Sequence, residues 1–261
     1  MSRLGAAMDV RFAVSVPEFL EYITNIGLDH VELKREYLQA HPEAPDAERL
    51  GDLAAEYDVT VTLHAPFRDW NMGSFNEHAR RGSVERIKRT IDDANTVGAT
   101  AIVIHGGSVP KRYPEWVRKR SADNARQSLA ECAEYAQLVG VPLCLENQPP
   151  SSEKRRYTTT PSDLAATLSA VDVTPKYLGV TLDVGHAKIA GVDYQAFVDR
   201  FGDRIRVCHL HDNGGKADDH EPLSDYRQFV DQIPAEQFVF EMKTVEDVAR
   251  CVDATPGHRP R

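Results

Sequence analysis

No run of about 18 apolar residues, the length that a membrane-spanning helix needs, occurs in this sequence. Its start, MSRLGAAMDVRF, carries neither a long apolar stretch nor a cleavage pattern; the expectation is a cytoplasmic protein with no membrane partner. Cysteine is scarce. Cys132, Cys144, Cys208 and Cys251 are scattered, with no C-x-x-C pair, which argues against a small secreted disulfide framework. Cys144 and Cys208 sit inside apolar runs, where a thiol behaves as a small hydrophobe. Positive charge is also short: 31 Lys and Arg against 40 Asp and Glu leave a net charge of −9. A protein whose whole surface binds nucleic acid is usually basic, so at most a local basic groove is left for such a partner. Linkers and low-complexity tracts are absent.

What is present is a soluble, globular composition, with 41% hydrophobic and 27% charged residues over 261 positions. That length suits one large barrel of about 250 residues better than two ordinary domains. Short apolar runs recur at Val10–Val14, His30–Leu33, Val59–His64, Ala101–His105, Val141–Glu146, Leu178–Asp183, Ile205–His209 and Phe238–Glu241. Most are rich in Val, Ile and Leu, as expected of parallel strands buried on both faces. Helix signals separate them. Ser15 and Glu18 form a capping box, Thr160-Pro161 sets a cap ahead of a first-turn proline, and Ser83 opens the helical stripe Val84, Ile87, Ile91, Ala94 and Val97. Gly98 and Gly140 end helices. Eight strands alternating with helices predict an α/β fold, a (β/α)8 TIM barrel forming a single domain over residues 1–261.

Chemistry gathers at the strand ends. His64 closes VTVTLH, His105 closes AIVIH, Glu146 closes VPLCLE, Asp183 closes LGVTLD, His209 sits in RIRVCHLHD and Glu241 closes FVFE. Taken singly, such a residue is more often a hydrogen-bonded loop anchor than a ligand. Six in succession are different, because a barrel converges these ends on its catalytic face, and burying several carboxylates and imidazoles together is costly without a compensating cation. A divalent-metal site is therefore expected. His186, just past the sixth strand, and Asp218 and His220, in the loop after the seventh, are further candidates.

The motifs HAP (64–66), HGG (105–107), LEN (145–147), LDVGH (182–186), HLHDN (209–213), DDH (218–220) and FE (240–241) resemble, in order and placement, the xylose isomerase-like TIM barrel superfamily, from about residue 10 to 245. That superfamily includes sugar phosphate isomerases and ketose epimerases as well as endonuclease IV-type enzymes (AP endonuclease family 2). The resemblance to the epimerase branch implies one ion, Mn²⁺ or Mg²⁺, held by Glu146, Asp183, His209 and Glu241. Glu146 and Glu241 are then the acid/base pair for proton transfer through an ene-diolate. The resemblance to the endonuclease branch implies three Zn²⁺ ions on His64, His105, Glu146, Asp183, His186, His209, Asp218, His220 and Glu241. All nine positions hold an acceptable residue type, so the ligand set alone does not choose.

Cations cluster in the loops after the strands, among them Arg68, Lys111, Arg112, Lys154, Arg155, Arg156, Lys188, Lys216 and Lys243. They would draw in an anionic substrate, although Glu115, Glu153, Asp218, Asp219 and Glu221 dilute the pattern. Arg68, Lys188, Glu32 and His211 are candidate substrate contacts, with a barrel salt bridge the other reading of Glu32. The expected function is an isomerase or epimerase on a small sugar or sugar phosphate. The alternative is an endonuclease IV-like phosphodiesterase on abasic-site DNA, disfavoured by short loops that leave little to enter a minor groove. A non-catalytic binding protein ranks third. The sequence leaves oligomerisation open.

Overall fold

The computed structural model describes residues 2–254, so the expected domain of 1–261 reaches past the described residues at both ends. Eight strands close a parallel barrel: β1 Arg3–Met8, β2 His30–Lys34, β3 Thr60–His64, β4 Ala101–His105, β6 Leu143–Glu146, β8 Leu178–Asp183, β9 Ile205–Leu210 and β10 Gln237–Phe240. Two short strands, β5 Ser108–Pro110 and β7 Lys154–Arg156, pair antiparallel as a separate sheet above the barrel. Ten helices complete the described residues: α1 Val16–Asn25, α2 Arg35–Ala40, α3 Ala47–Glu56, α4 Glu77–Val97, α5 Glu115–Val139, α6 Pro161–Leu168, α7 Val184–Ile189, α8 Gln195–Phe201, α9 Arg227–Val230 and α10 Val245–Ala254. No helix is long and apolar enough to cross a membrane.

One expected strand was misplaced. Val10–Val14 is a loop, and the first strand is RLGAAM at Arg3–Met8. The reason is steric. Gly5 lies opposite His30, and a Cβ on it would stand 2.0 Å from the His30 carbonyl oxygen. Small residues are required here, so the strand lacks the Val/Ile signature. The start of α4 was also placed late. Asn76 caps the helix by accepting from the N–H groups of His78 and Ala79. Its first turn is polar, so the apolar stripe becomes visible only at Val84. The capping boxes at Ser15 and Thr160 and the left-handed terminal glycines Gly98 and Gly140 are as expected.

Two apolar clusters hold the barrel. A large one lies largely between strands and helices, and a small one, Ala7, Ala101, Val103, Cys144, Val207 and Val239, brings together five strands. Because strand side chains alternate between faces, Cys144 is followed on its face by Glu146, Val103 by His105, Val207 by His209 and Val239 by Glu241. A plug of small apolar residues thus carries a polar layer at the carboxyl ends of the strands. None of the four cysteines is in a disulfide, and all are buried.

Candidate active site

Glu146, Asp183, His209 and Glu241 stand on β6, β8, β9 and just past β10, neighbouring strands in the barrel. All four are buried. His209 Nδ1 lies 3.8 Å from Glu146 Oε1, 3.8 Å from Asp183 Oδ2 and 3.6 Å from Glu241 Oε1, yet it has no hydrogen-bond partner. Three carboxylate oxygens thus face a buried nitrogen at distances too long for hydrogen bonds. They converge on a common point, as donors around a cation do. Glu32, fully buried on β2, sits behind His209, with both carboxylate oxygens 3.2 Å from Nε2. A proton on Nε2 leaves the Nδ1 lone pair aimed at that point, an arrangement that fixes tautomer and ring orientation in metal-binding histidines. Thr62 Oγ1 donates to Glu32 Oε2 at 3.1 Å, and His30, pushed down to about 4 by burial, lies below Thr62 as a neutral ring.

Two further donor groups flank this centre. His64 Nε2 and His105 Nε2 lie 3.4 Å and 2.9 Å from Glu146 Oε2, an oxygen without a hydrogen bond of proper geometry. On the other side, His186 Nε2 and His220 Nε2 each lie 3.3 Å from Asp218 Oδ2. Nδ1 of His64, His186 and His220 is 2.8, 2.9 and 2.7 Å from the carbonyl oxygens of Ala65, Asn147 and Glu241. Donation there turns each Nε2 lone pair into the site. All nine residues named from the sequence therefore meet, in groups that could hold divalent ions.

The electrostatics agree. Burial opposes charge on every group, but His105, His186 and His209 hold the Glu146 carboxyl well below its ordinary range, and His209 and Lys34 do the same for Glu241. Conversely, burial would lower the imidazoles, yet neighbouring carboxylates raise His64 and His220, and raise His186 and His209 well above the ordinary value. A cation must displace those protons, so acid favours the protonated, ion-free site. Affinity for a divalent ion is expected to climb with pH through the neutral range, with protons released on binding. Calorimetry in buffers of different ionisation enthalpy measures this, and a pH-independent affinity contradicts it. Glu32→Gln is expected to weaken ion binding about 10–100-fold with the barrel intact, read by competition with a chromogenic chelator.

Above the site opens a cavity of about 750 Å³. Glu146 and Glu241 line it, with His64, His105, His186, Asp218 and His220, whereas Asp183 and His209 lie beneath the accessible floor. Arg68 also lines it. Three other sequence candidates lie away from the wall. Glu32 is behind His209, His211 is buried with Nε2 3.0 Å from Asp183 Oδ1, and Lys188 pairs with Asp212 at 2.5 Å. Trp70 lines the cavity under the Arg86 guanidinium, while Trp116 is 70% exposed and outside it.

Sequence reasoning missed Asp9, Lys34 and Asn147. Lys34 Nζ lies 2.8 Å from Glu241 Oε1 and 3.9 Å from Asp9 Oδ2. It follows Glu32 by two residues on the same strand face, a signal that was available. Asp9 was hidden because its strand was misplaced. Asn147 locks β6 to β8, accepting from Asp183 N at 2.7 Å and donating to Asp183 O at 2.9 Å.

The chain is 32% identical to the uncharacterized protein MJ1311 of Methanocaldococcus jannaschii, covering 82% of this chain and 74% of that one. It is 27% identical to fructoselysine 3-epimerase of Shigella flexneri (76% and 71% covered), and 27% identical to a probable endonuclease 4 of Mycobacterium leprae (83% and 82%). A crystal structure of a D-tagatose 3-epimerase-like protein superposes with a TM-score of 0.81 at 27% identity, over 96% of this chain and 94% of that one. The family model for the xylose isomerase-like TIM barrel matches residues 20–250, and the chain belongs to that family.

Proposed function

We propose that the protein is a divalent-metal-dependent isomerase or epimerase acting on a small sugar or sugar phosphate, with Glu146 and Glu241 as its proton-transfer groups. The observation that carries this reading is the division of the central donors: the two glutamates face the cavity while Asp183 and His209 lie beneath it. The buried, unpartnered His209 Nδ1 among three carboxylates fits a cation. An ion there would polarise a substrate carbonyl and ease removal of the neighbouring proton.

Glu146 and Glu241 come from strands separated by β8 and β9, so they approach a sugar on the cavity floor from two directions. Both are held ionised, so either can take the proton. The carboxylic acid so formed can return it to the neighbouring carbon, and delivery to the opposite face draws its proton from water in the cavity. Lys34 fixes Glu241 through its 2.8 Å ion pair. The cavity, at about 750 Å³, falls in the range of small-molecule sites. The likeness to fructoselysine 3-epimerase and to the D-tagatose 3-epimerase-like structure supports the same chemistry.

The oxygen-rich centre suits Mn²⁺ or Mg²⁺, and the histidine-rich flanking groups suit Zn²⁺. A second reading, an endonuclease IV-like phosphodiesterase on abasic-site DNA, is favoured by the flanking group of His64 and His105 with Glu146, by His186 and His220 around Asp218 and by the endonuclease 4 relative. The test is incubation of metal-loaded protein with a panel of ketoses and ketose phosphates in D₂O. Deuterium entering next to the carbonyl, with a new epimer or isomer, supports the proposal. No exchange with any sugar, together with nicking of abasic duplex, would transfer the assignment to the second reading.

A further inference from the structure

The cations around the cavity divide into two sets. Lys34 pairs with Glu241 at the floor and the exposed Arg11 pairs with Asp9, so both are neutralised. Arg68, Lys154 and Arg156 also line the cavity, and none of them has an ion pair among the described residues. Arg156 is the most constrained of the three. It lies half-buried on β7, opposite Ser108 of β5, which also lines the cavity. Its Nη1 donates to the carbonyl oxygen of Pro149 at 2.9 Å, and that carbonyl stands three residues past Glu146. The guanidinium is thus tied to the loop that follows Glu146. Its burial pulls its pKa down while the charges of Glu146 and Asp218 reach it. This partly desolvated guanidinium makes one hydrogen bond within the protein and keeps its other N–H donors available to a ligand in the cavity.

We infer that the cavity binds a sugar carrying an anionic group, a phosphate monoester or a carboxylate, whose oxygens are gripped by Arg156 while Lys154 and Arg68 add charge at the rim. The planar guanidinium offers two parallel N–H donors, which matches either oxyanion. This rests on the small-sugar reading of the site and narrows its substrate class. The reacting end of the sugar then lies towards Glu146 and Glu241 and the anionic end towards β7, so Arg156 also sets which way round the sugar enters.

The test is calorimetric binding of D-fructose, D-fructose 6-phosphate, D-glucuronate and inorganic phosphate to the metal-loaded protein and to its Arg156→Met and Arg156→Lys variants. The wild type is expected to bind an anionic sugar at least about tenfold more tightly than fructose. Arg156→Met should remove that preference at unchanged metal content, and Arg156→Lys should restore part of it, because charge returns without the fork. A phosphate-specific or glucuronate-specific preference identifies which oxyanion is read. Equal affinity for charged and neutral sugars, no binding of any anionic probe in the millimolar range, or a preference that survives in Arg156→Met overturns the inference. Because the readout is binding, the two readings fail separately. Absent turnover with an Arg156-dependent preference removes the epimerase assignment and keeps the subsite, while turnover of neutral sugars without preference does the reverse.

Discussion

Glu241→Gln and Glu146→Gln are each expected to lower kcat by about 10²–10⁴-fold, the range for removing one general acid or base, while leaving the fold intact. Amides of the same shape keep the cavity wall but cannot accept a proton. The two should differ in a second respect. Glu146 touches both the central and the His64/His105 donor groups, so its replacement should also weaken ion binding broadly. Glu241 contacts the central group, Lys34 and, at 3.9 Å, His220, so Glu241→Gln should leave the His64/His105 group unaffected. Measuring kcat beside metal content separates the effects: loss of turnover in a variant that retains its central ion is the signature of proton transfer. Near-normal turnover in either variant sinks the acid/base assignment.

Gly5→Ala is expected to be among the most destabilising single-methyl changes in the molecule. The new Cβ would stand 2.0 Å from His30 O and 2.4 Å from His30 C. Those are backbone atoms of the paired strand, so no side chain can rotate away and β1 must separate from β2. Overpacking of this kind costs about 3 kcal/mol, a fall in Tm of roughly 6–12 °C at this size. Gly51→Ala is the matched control. Gly51 lies inside α3, its added Cβ would meet nothing closer than 3.4 Å, and alanine should gain about 1 kcal/mol there. Thermal unfolding by circular dichroism should show the two variants moving in opposite directions; a Gly5→Ala protein as stable as wild type contradicts the close β1–β2 approach.

Much of the barrel was legible because seven strands are short runs rich in apolar residues with a polar residue at or within one position of the carboxyl end. The first strand was not, since its close approach to β2 demands Gly5, and the Gly5-Ala6-Ala7 run carries no strand signature. The residues at the third to eighth barrel strands were visible because each lies within one residue of a strand's carboxyl end. Asp9 was not, because its strand went unrecognised, whereas Lys34 was within reach from its place two residues past Glu32 on the same strand face. The way these side chains gather into overlapping groups, with Glu32 and His211 among them, depends on inter-strand register, including the shift between Val180 and Thr181 in the β8–β9 pair. Linear spacing cannot report that register.

The central claim is a cation held by Glu146, Asp183, His209 and Glu241 below the reacting sugar. Its most direct test is the metal content of natively purified protein, measured by elemental mass spectrometry beside Asp183→Asn and His209→Asn variants confirmed as folded. The account predicts at least one tightly held divalent ion per chain in the wild type and loss of the central ion in both variants. A wild type that retains none after re-exposure to Mn²⁺, Mg²⁺ and Zn²⁺ at neutral pH, or variants that retain as much as the wild type, would contradict it.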